Sequence, residues 1–237
     1  MKIKQITLAL FALLILATSI IPSTASAVDV GGDTYLGFSS MYLWRGDDLS
    51  SGDPVLQGGM DLSFKNVTLS YWSNFNLDSK ELDETDIVLD YSVDLNELLS
   101  LSVGTIFYGL DGLDDTSELY VGISFKTILE PAFTIYYDFD EVAGDLFMTA
   151  SIGHGLELGK GLSLGLGALI SYMETDTISD LHNFEVSAAL DYAITEQITI
   201  SPSLIYSAPL SDAADDFAYG DGIDEEFMGG LTLTLSF

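Results

Sequence analysis

The feature that most constrains this chain is a two-residue period that recurs in segments of about ten residues. In "VTLSYWSNFNL", Val67, Leu69, Tyr71, Phe75 and Leu77 share one parity, and Thr68, Ser70, Trp72, Asn74 and Asn76 share the other. "TDIVLDYSVDL" sets Ile87, Leu89, Tyr91 and Val93 against Asp86, Asp90, Ser92 and Asp94. "FMGGLTLTLSF" sets Phe227, Leu231, Leu233, Leu235 and Phe237 against Thr232, Thr234 and Ser236. Successive side chains of a strand point to opposite faces, so each segment has one apolar and one polar face. Beyond residue 27 no stretch sustains the i, i+3, i+4, i+7 stripe of an amphipathic helix.

Twelve such segments follow one another, at 34–45, 55–64, 67–77, 85–95, 99–109, 118–126, 132–139, 145–158, 162–172, 184–194, 198–208 and 227–237. About ten residues is what a tilted strand needs to cross a bilayer. Their connections alternate. Tight turns such as "KN" (65–66), "GKG" (159–161) and "TEQ" (195–197) interleave with longer polar stretches, the last being "PLSDAADDFAYGDGIDEE" (209–226). The pattern predicts an all-β fold, a transmembrane antiparallel up-and-down β-barrel of 12 strands. Lipid satisfies no open sheet edge, so the strands must close. An even number places both termini on the short-turn, periplasmic side and the long acidic loops outside the cell.

Charge placement separates this reading from a soluble sandwich or lipocalin-like barrel, which alternates in the same way. The chain carries 37 Asp+Glu against 7 Lys+Arg, a net charge of −30, which excludes nucleic acid as a partner. Ten acids fall inside the strand segments: Asp61, Asp86, Asp90, Asp94, Glu118, Asp138, Asp145, Glu157, Glu185 and Asp191. All ten sit on the polar parity, as do Arg45 and Lys126. The other face is uncharged and is bounded by aromatics. Trp44, Phe75, Phe107, Phe139, Tyr172, Phe184, Tyr206 and Phe227 lie toward the loops, and Phe64, Phe125, Phe133, Tyr192 and Phe237 toward the turns. Two aromatic girdles around an apolar band describe a lipid-facing wall. A soluble barrel would bury those aromatics and would leave the alternating connections unexplained.

The first 27 residues read as an address. Lys2 and Lys4 precede the apolar run "LALFALLILA" and the small residues "STASA", the grammar of a secretory signal peptide cleaved after Ala27. An uncleaved anchor is the alternative, but the run is short and closes on an A-x-A signal. Residues 28–237 then form one barrel domain, without cysteine and so without disulfides or thiolate zinc sites.

Two stretches carry a family likeness. "GGLTLTLSF" resembles the C-terminal strand of outer-membrane barrels, which ends in phenylalanine. The resemblance implies that the barrel assembly machinery reads the strand ending at Phe237. "GFSSMYLWRGDDLSSGDPVLQGGMDLSFKNVTLSYWSN", Gly37 to Asn74, resembles the opening of the TorF-type porin family: an aromatic-Arg-Gly, a loop, Pro, Gln-Gly-Gly and Trp-Ser-Asn. That resemblance implies an outer-membrane protein of a Gram-negative bacterium that passes solutes.

With Trp44 at the outer girdle, Arg45, the single arginine, is expected to point into the lumen and to be held by several strand carboxylates. It would act either as a constriction or solute-binding group near the outer mouth, or as a clamp that relieves repulsion among the acids. Gly46, Gly58 and Gly59 serve the turn and strand curvature. The pore-lining candidates are Arg45, Lys126 and the acids Asp61, Asp86, Asp90, Asp94, Glu118, Asp138, Asp145, Glu185 and Asp191. Trp72, Asn74, Tyr108, Tyr120 and Tyr136 lend stacking and hydrogen-bonding surface. An acidic lumen favours passive passage of small cations or cationic solutes. The rival is a non-conducting structural or surface-interaction barrel whose lumen is plugged and whose acidic loops meet ions or partners.

Neither enzyme nor cofactor is expected. Of the two histidines, His154 has outward parity at the interface, and His182, beside Asp180, is expected in a solvated loop. His154 has no hydroxyl partner on its own strand, which acyl chemistry would need. The run "DGIDEE" (221–226) lacks the carboxylate spacing and glycine of an EF-hand, so no metal site is expected there. Pro202 removes one ladder donor, and a bulge is expected around it.

Overall fold

The computed structural model describes residues 30–215 and 223–237. The expected signal peptide lies outside the described residues, as does part of the acidic run at 221–226. The strands are β1 (Gly31–Ser39), β2 (Leu43–Trp44), β3 (Asp47–Asp48), β4 (Val55–Phe64), β5 (Val67–Asn76), β6 (Glu81–Asn96), β7 (Leu99–Leu110), β8 (Thr116–Phe125), β9 (Ala132–Asp138), β10 (Leu146–Gly159), β11 (Leu162–Glu174), β12 (Ser179–Ala193), β13 (Ile198–Pro209) and β14 (Glu226–Ser236). A single helical turn, α1 (Asp212–Asp215), precedes β14.

Twelve of these strands close into one antiparallel barrel, in which β1 pairs with β4 on one side and β14 on the other. The seam is sealed by a reciprocal backbone pair, with Gly32 N donating to Phe237 O at 3.0 Å and Phe237 N to Gly32 O at 2.9 Å. The short β2–β3 hairpin is not part of the wall.

The two-residue period becomes an inside and an outside. Leu36, Leu89, Val121, Leu166, Leu204 and Leu233 all project outward and are exposed. A water-soluble fold would bury such a belt; acyl chains cover it instead. The inner wall needs room for its larger rings. A Cβ at Gly59 would strike the Tyr35 ring, and one at Gly104 the Tyr120 ring, so these glycines let two tyrosines lie across the wall.

The wall departs from the sequence expectations in three places. The first segment does not run to residue 45: β1 ends at Ser39, and residues 40–54 turn into the barrel. The middle connections at the loop end are shorter than their polarity suggests, because β6 and β12 begin at Glu81 and Ser179 and carry acids upward on strand extensions. No register shift marks Pro202. The β12–β13 ladder passes from Ala189↔Ser203 to Tyr192↔Ile200 in unchanged register, while Pro202 keeps its partner Leu231 on β14. A missing N–H is accommodated by skipping rungs on one side rather than by inserting a residue.

The bulges sit elsewhere. One lies on β6, where Asn74↔Glu84 is followed by Phe75↔Leu82, leaving Asp83 extra. Another lies on β12, where Ile170↔Phe184 is followed by Tyr172↔Leu181, so that His182 and Asn183 both face Ser171. A bulge re-aims side chains locally. Here it turns Asp83 with Glu84, and His182 with Asn183, toward the interior.

Cysteines introduced singly at Leu204 and Ser203 test the facing, since the natural chain has none. A spin label at 204 is expected to be relaxed by a lipid-soluble agent and one at 203 only by a water-soluble one.

Candidate functional site

The interior is organised by the segment that leaves the wall after β1. Ser40 is tied to β14 by its N donating to Gly229 O at 2.9 Å and by its Oγ accepting from Gly229 N at 3.0 Å. The return limb is built on Asp48. Its carboxylate accepts from Ser50 N at 2.9 Å, from Ser50 Oγ at 2.7 Å and from Gly52 N. Ser50 Oγ in turn accepts from Tyr42 N at 2.8 Å. Between the limbs, Trp44–Arg45–Gly46–Asp47 is a two-residue hairpin turn with φ of 53° at Arg45 and 91° at Gly46. Positive φ at both central residues is the type I′ geometry. For a non-glycine such as Arg45 this conformation costs about 1–2 kcal/mol, which its side chain must offset.

Arg45 does so by crossing the lumen. Nη1 donates to Glu118 Oε1 at 2.9 Å and Nη2 to Glu118 Oε2 at 2.7 Å, a bidentate pair with side-chain exposures of 12% and 7%. Glu118 also accepts from Tyr108 Oη at 2.9 Å. The guanidinium carbon lies 4.4 Å from the Trp44 ring centroid, 4.3 Å from Phe147 and 5.1 Å from Tyr136. Burial alone would lower the pKa of Arg45, but the charge and hydrogen bonds of Glu118 outweigh it and the net direction is upward. The guanidinium is therefore held by one carboxylate and three rings, not by several carboxylates.

Trp44 requires the larger correction. It does not face lipid; it packs edge-on against Tyr108 at 6.1 Å inside the barrel. The apolar-polar alternation of "MYLWRGDD" belongs to a hairpin within the lumen, a setting in which parity says nothing about lipid.

The hairpin is gripped on other walls too. Tyr42 packs at a tilt against Trp72 at 5.4 Å and is hydrogen-bonded to Glu84, and burial followed by the charge of Glu84 pushes its phenol pKa upward. A Cβ on Gly46 would come 3.0 Å from Asn183, so the tip touches β12. Asn183 is fully buried and fixed, its Nδ2 donating to Glu185 Oε1 and to Ser207 Oγ at 3.0 Å each. His182 is no solvated loop residue. It is buried in β12, edge-on to Phe147 at 6.0 Å. His154 lies near the turns, its Nδ1 2.7 Å from Ile128 O.

The remaining candidates divide by level. Near the hairpin, Thr116 Oγ1 donates to Asp138 Oδ2 at 2.5 Å, and Asn74 Nδ2 donates to Asp83 Oδ1 at 2.7 Å. Asp86 is buried there, with Oδ1 making no hydrogen bond among the described residues. Lower down, Tyr120 Oη donates to Asp90 Oδ2 at 2.6 Å, and Tyr120 packs on Tyr136 at 5.7 Å. Ser201 Oγ donates to Asp191 Oδ1 at 2.6 Å, and Asp61 lies beside Tyr35. Toward the turns, Lys126 Nζ pairs with Asp94 Oδ2 at 2.6 Å, with exposures of 47% and 63%. Lys126 is one residue beyond β8, and Asp145 one residue before β10. Burial of the inward acids thus falls from the hairpin toward the turns: Asp138 is 2% exposed, whereas Asp94 is open to water.

Above the Arg45–Glu118 pair lies a cavity of about 360 Å³. The hairpin, residues 108–118 and residues 138–147 form its walls, with Glu84 and Met173. Phe147 and Met173, with Ile178, form the small buried apolar cluster beside it, on which Ala213 of α1 also packs. Phe147, Met173, Tyr42, Asp83, Glu84 and Asn183 are not among the candidates named from the sequence, although Phe147 shares the inward parity of Asp145. For the bulged ones a signal exists: Leu82 and Ile87, and again Leu181 and Phe184, are apolar outward residues on opposite parities, a slip of phase that marks each bulge.

No protein-family profile matches this chain, and no curated protein matches its sequence. Solved structures do. The NanC porin superposes with a TM-score of 0.60 at 13% identity, covering 87% of this chain and 100% of that one. The KdgM porin gives 0.58 at 12% identity, covering 87% and 99%. An outer-membrane channel from Pseudomonas putida F1 gives 0.51 at 12% identity, covering 92% and 100%. At such identities the likeness is one of fold: this chain has the barrel of outer-membrane porins. No family match supports the resemblance to TorF-type porins read from the sequence.

Removing one member of a buried ion pair strands the other, at a cost of about 3–5 kcal/mol. Arg45→Ala and Glu118→Ala are each expected to lower unfolding stability in urea by about that much, whereas Arg45→Leu combined with Glu118→Leu recovers most of the loss. Single changes within about 0.5 kcal/mol of the natural chain would mean that the pair does not hold the hairpin.

Proposed function

We propose that this protein is an outer-membrane channel for passive passage of small solutes, that it prefers cations, and that the hairpin at residues 40–54 narrows its lumen. The observation that carries the reading is the sign of the interior. Inward-facing acids line the wall from Asp138 to Asp94, and the two inward bases, Arg45 and Lys126, are each engaged by a carboxylate. Rings of Asp and Glu concentrate cations and repel anions. Fold alone does not fix the solute. KdgM has been solved in complex with disordered oligogalacturonate, a polyanion that an acid-lined lumen such as this one would repel.

The orientation follows the habit of such barrels, with the termini and tight turns periplasmic and the hairpin end facing out. The strand ending at Phe237 is the segment through which the assembly machinery would engage the chain. A second reading, a structural or surface-interaction barrel that does not conduct, is favoured by the depth of the hairpin, whose contacts reach β7, β8, β10 and β12.

Single-channel recording in planar bilayers under a KCl gradient separates these readings. Cation-selective reversal potential is expected, with conductance rising when Arg45→Ala frees the hairpin tip. Anion selectivity, or no current from either protein, would overturn the channel reading.

A further inference from the structure

The cavity above the hairpin has a lining that the passage of simple ions does not require. Its volume of about 360 Å³ falls within the roughly 300–1,000 Å³ typical of small-molecule sites. Leu49, Leu110, Leu113, Val142, Leu146 and Met173 supply apolar walls, and Trp44, Tyr108 and Phe147 supply rings. Between them stand six carboxylates: Glu84, Asp114, Glu118, Asp138, Glu141 and Asp145. Arg45 is the one basic residue of the lining, and both arms of its guanidinium are committed to Glu118.

We infer that this cavity is a binding site for a small organic cation with an apolar or aromatic body, such as an aryl-substituted quaternary ammonium. Each alternative uses this lining less fully. An anion would meet carboxylates and no uncommitted base. A neutral sugar could donate its hydroxyls to those carboxylates but would leave their charge uncompensated. A bare metal ion would need converging ligands, and among the described residues no group of three His, Cys, Asp or Glu is arranged to hold one. A cation with an apolar body uses both halves of the lining: ring faces and carboxylates attract the charge, and leucine, valine and methionine cover the rest. The same rings already attract one cation, since Arg45 lies over Trp44 and Phe147. The inference deepens the cation-preferring reading by naming a class of solute, and it rests on that reading for its link to transport.

Trp44 reports on the site. With Trp72→Phe as background it is the one remaining tryptophan, and its emission can be followed in detergent-folded protein. Benzyltrimethylammonium is expected to change that emission saturably, while benzyl alcohol and benzoate at equal concentration leave it unmoved. Asp114→Asn with Glu141→Gln removes two charges whose carboxylates make no hydrogen bond to the wall among the described residues, and should weaken binding at least about threefold. If Trp72→Phe does not fold, calorimetric titration of the unaltered protein with the three compounds makes the same discrimination. No saturable signal, or equal binding of the neutral or anionic compound, would overturn the site. A barrel that conducts cations but leaves Trp44 unmoved loses only the site; one that binds without conducting loses only the channel.

Discussion

A closed backbone ladder in lipid admits one arrangement of side chains: what is apolar must face the acyl chains, and what is charged must share a single enclosed interior. Every other feature of this molecule answers that constraint. The ladder closes where Gly32 and Phe237 exchange hydrogen bonds. Once it is closed, the strand acids have nowhere to go but inward, and an interior with far more carboxylates than bases must be stabilised by something other than pairing charge for charge.

Three devices share that work. Hydroxyls serve several acids, as Tyr120 serves Asp90, Thr116 serves Asp138 and Ser201 serves Asp191. Water reaches the acids nearest the turns, where Asp94 and Lys126 form an exposed pair that contributes little. At the other end, where Glu118 and Asp138 are buried, a hairpin that is not part of the wall brings in the only arginine. Bidentate pairing with Glu118 and the rings of Trp44, Phe147 and Tyr136 make that buried charge tolerable. Two bulges fall at the level where the hairpin docks, one presenting Asp83 and Glu84, the other His182 and Asn183. Wall and insert are fitted to each other.

How much of this can be read from the chain depends on whether the information is local. Strand number, strand faces and closure follow from alternation, which is a property of ten consecutive residues. The inward direction of Arg45 is legible too, but for the wrong reason, because "MYLWRGDD" alternates like a wall strand. Whether such a stretch extends the wall or folds back depends on the turn at Arg45–Gly46 and on a partner 73 positions away in sequence. The same alternation sends Trp44 to lipid, where it does not lie. His182 looks like a loop residue because the bulge that carries it inward breaks the period by which strands are recognised. The slips of phase at Leu82–Ile87 and Leu181–Phe184 are visible once bulges are sought. That Asn183 meets Gly46 is not, since nothing near either residue in sequence refers to the other.

The docking of the hairpin tip against β12 can be tested directly by a double cysteine substitution, Gly46→Cys with Asn183→Cys, in a chain that otherwise has no cysteine. A Cβ at position 46 would lie 3.0 Å from the Asn183 Cβ, and the left-handed φ of 91° strains any side chain there, so the hairpin tip must shift to reach the spacing of about 3.5–4.5 Å that a disulfide needs. Spontaneous oxidation of the folded barrel to an intramolecular disulfide is the expected result, with the thiol at position 46 inaccessible beforehand to a bulky water-soluble maleimide. Two free thiols, with the one at position 46 modified as fast as in an unfolded control, would contradict a hairpin seated in the lumen.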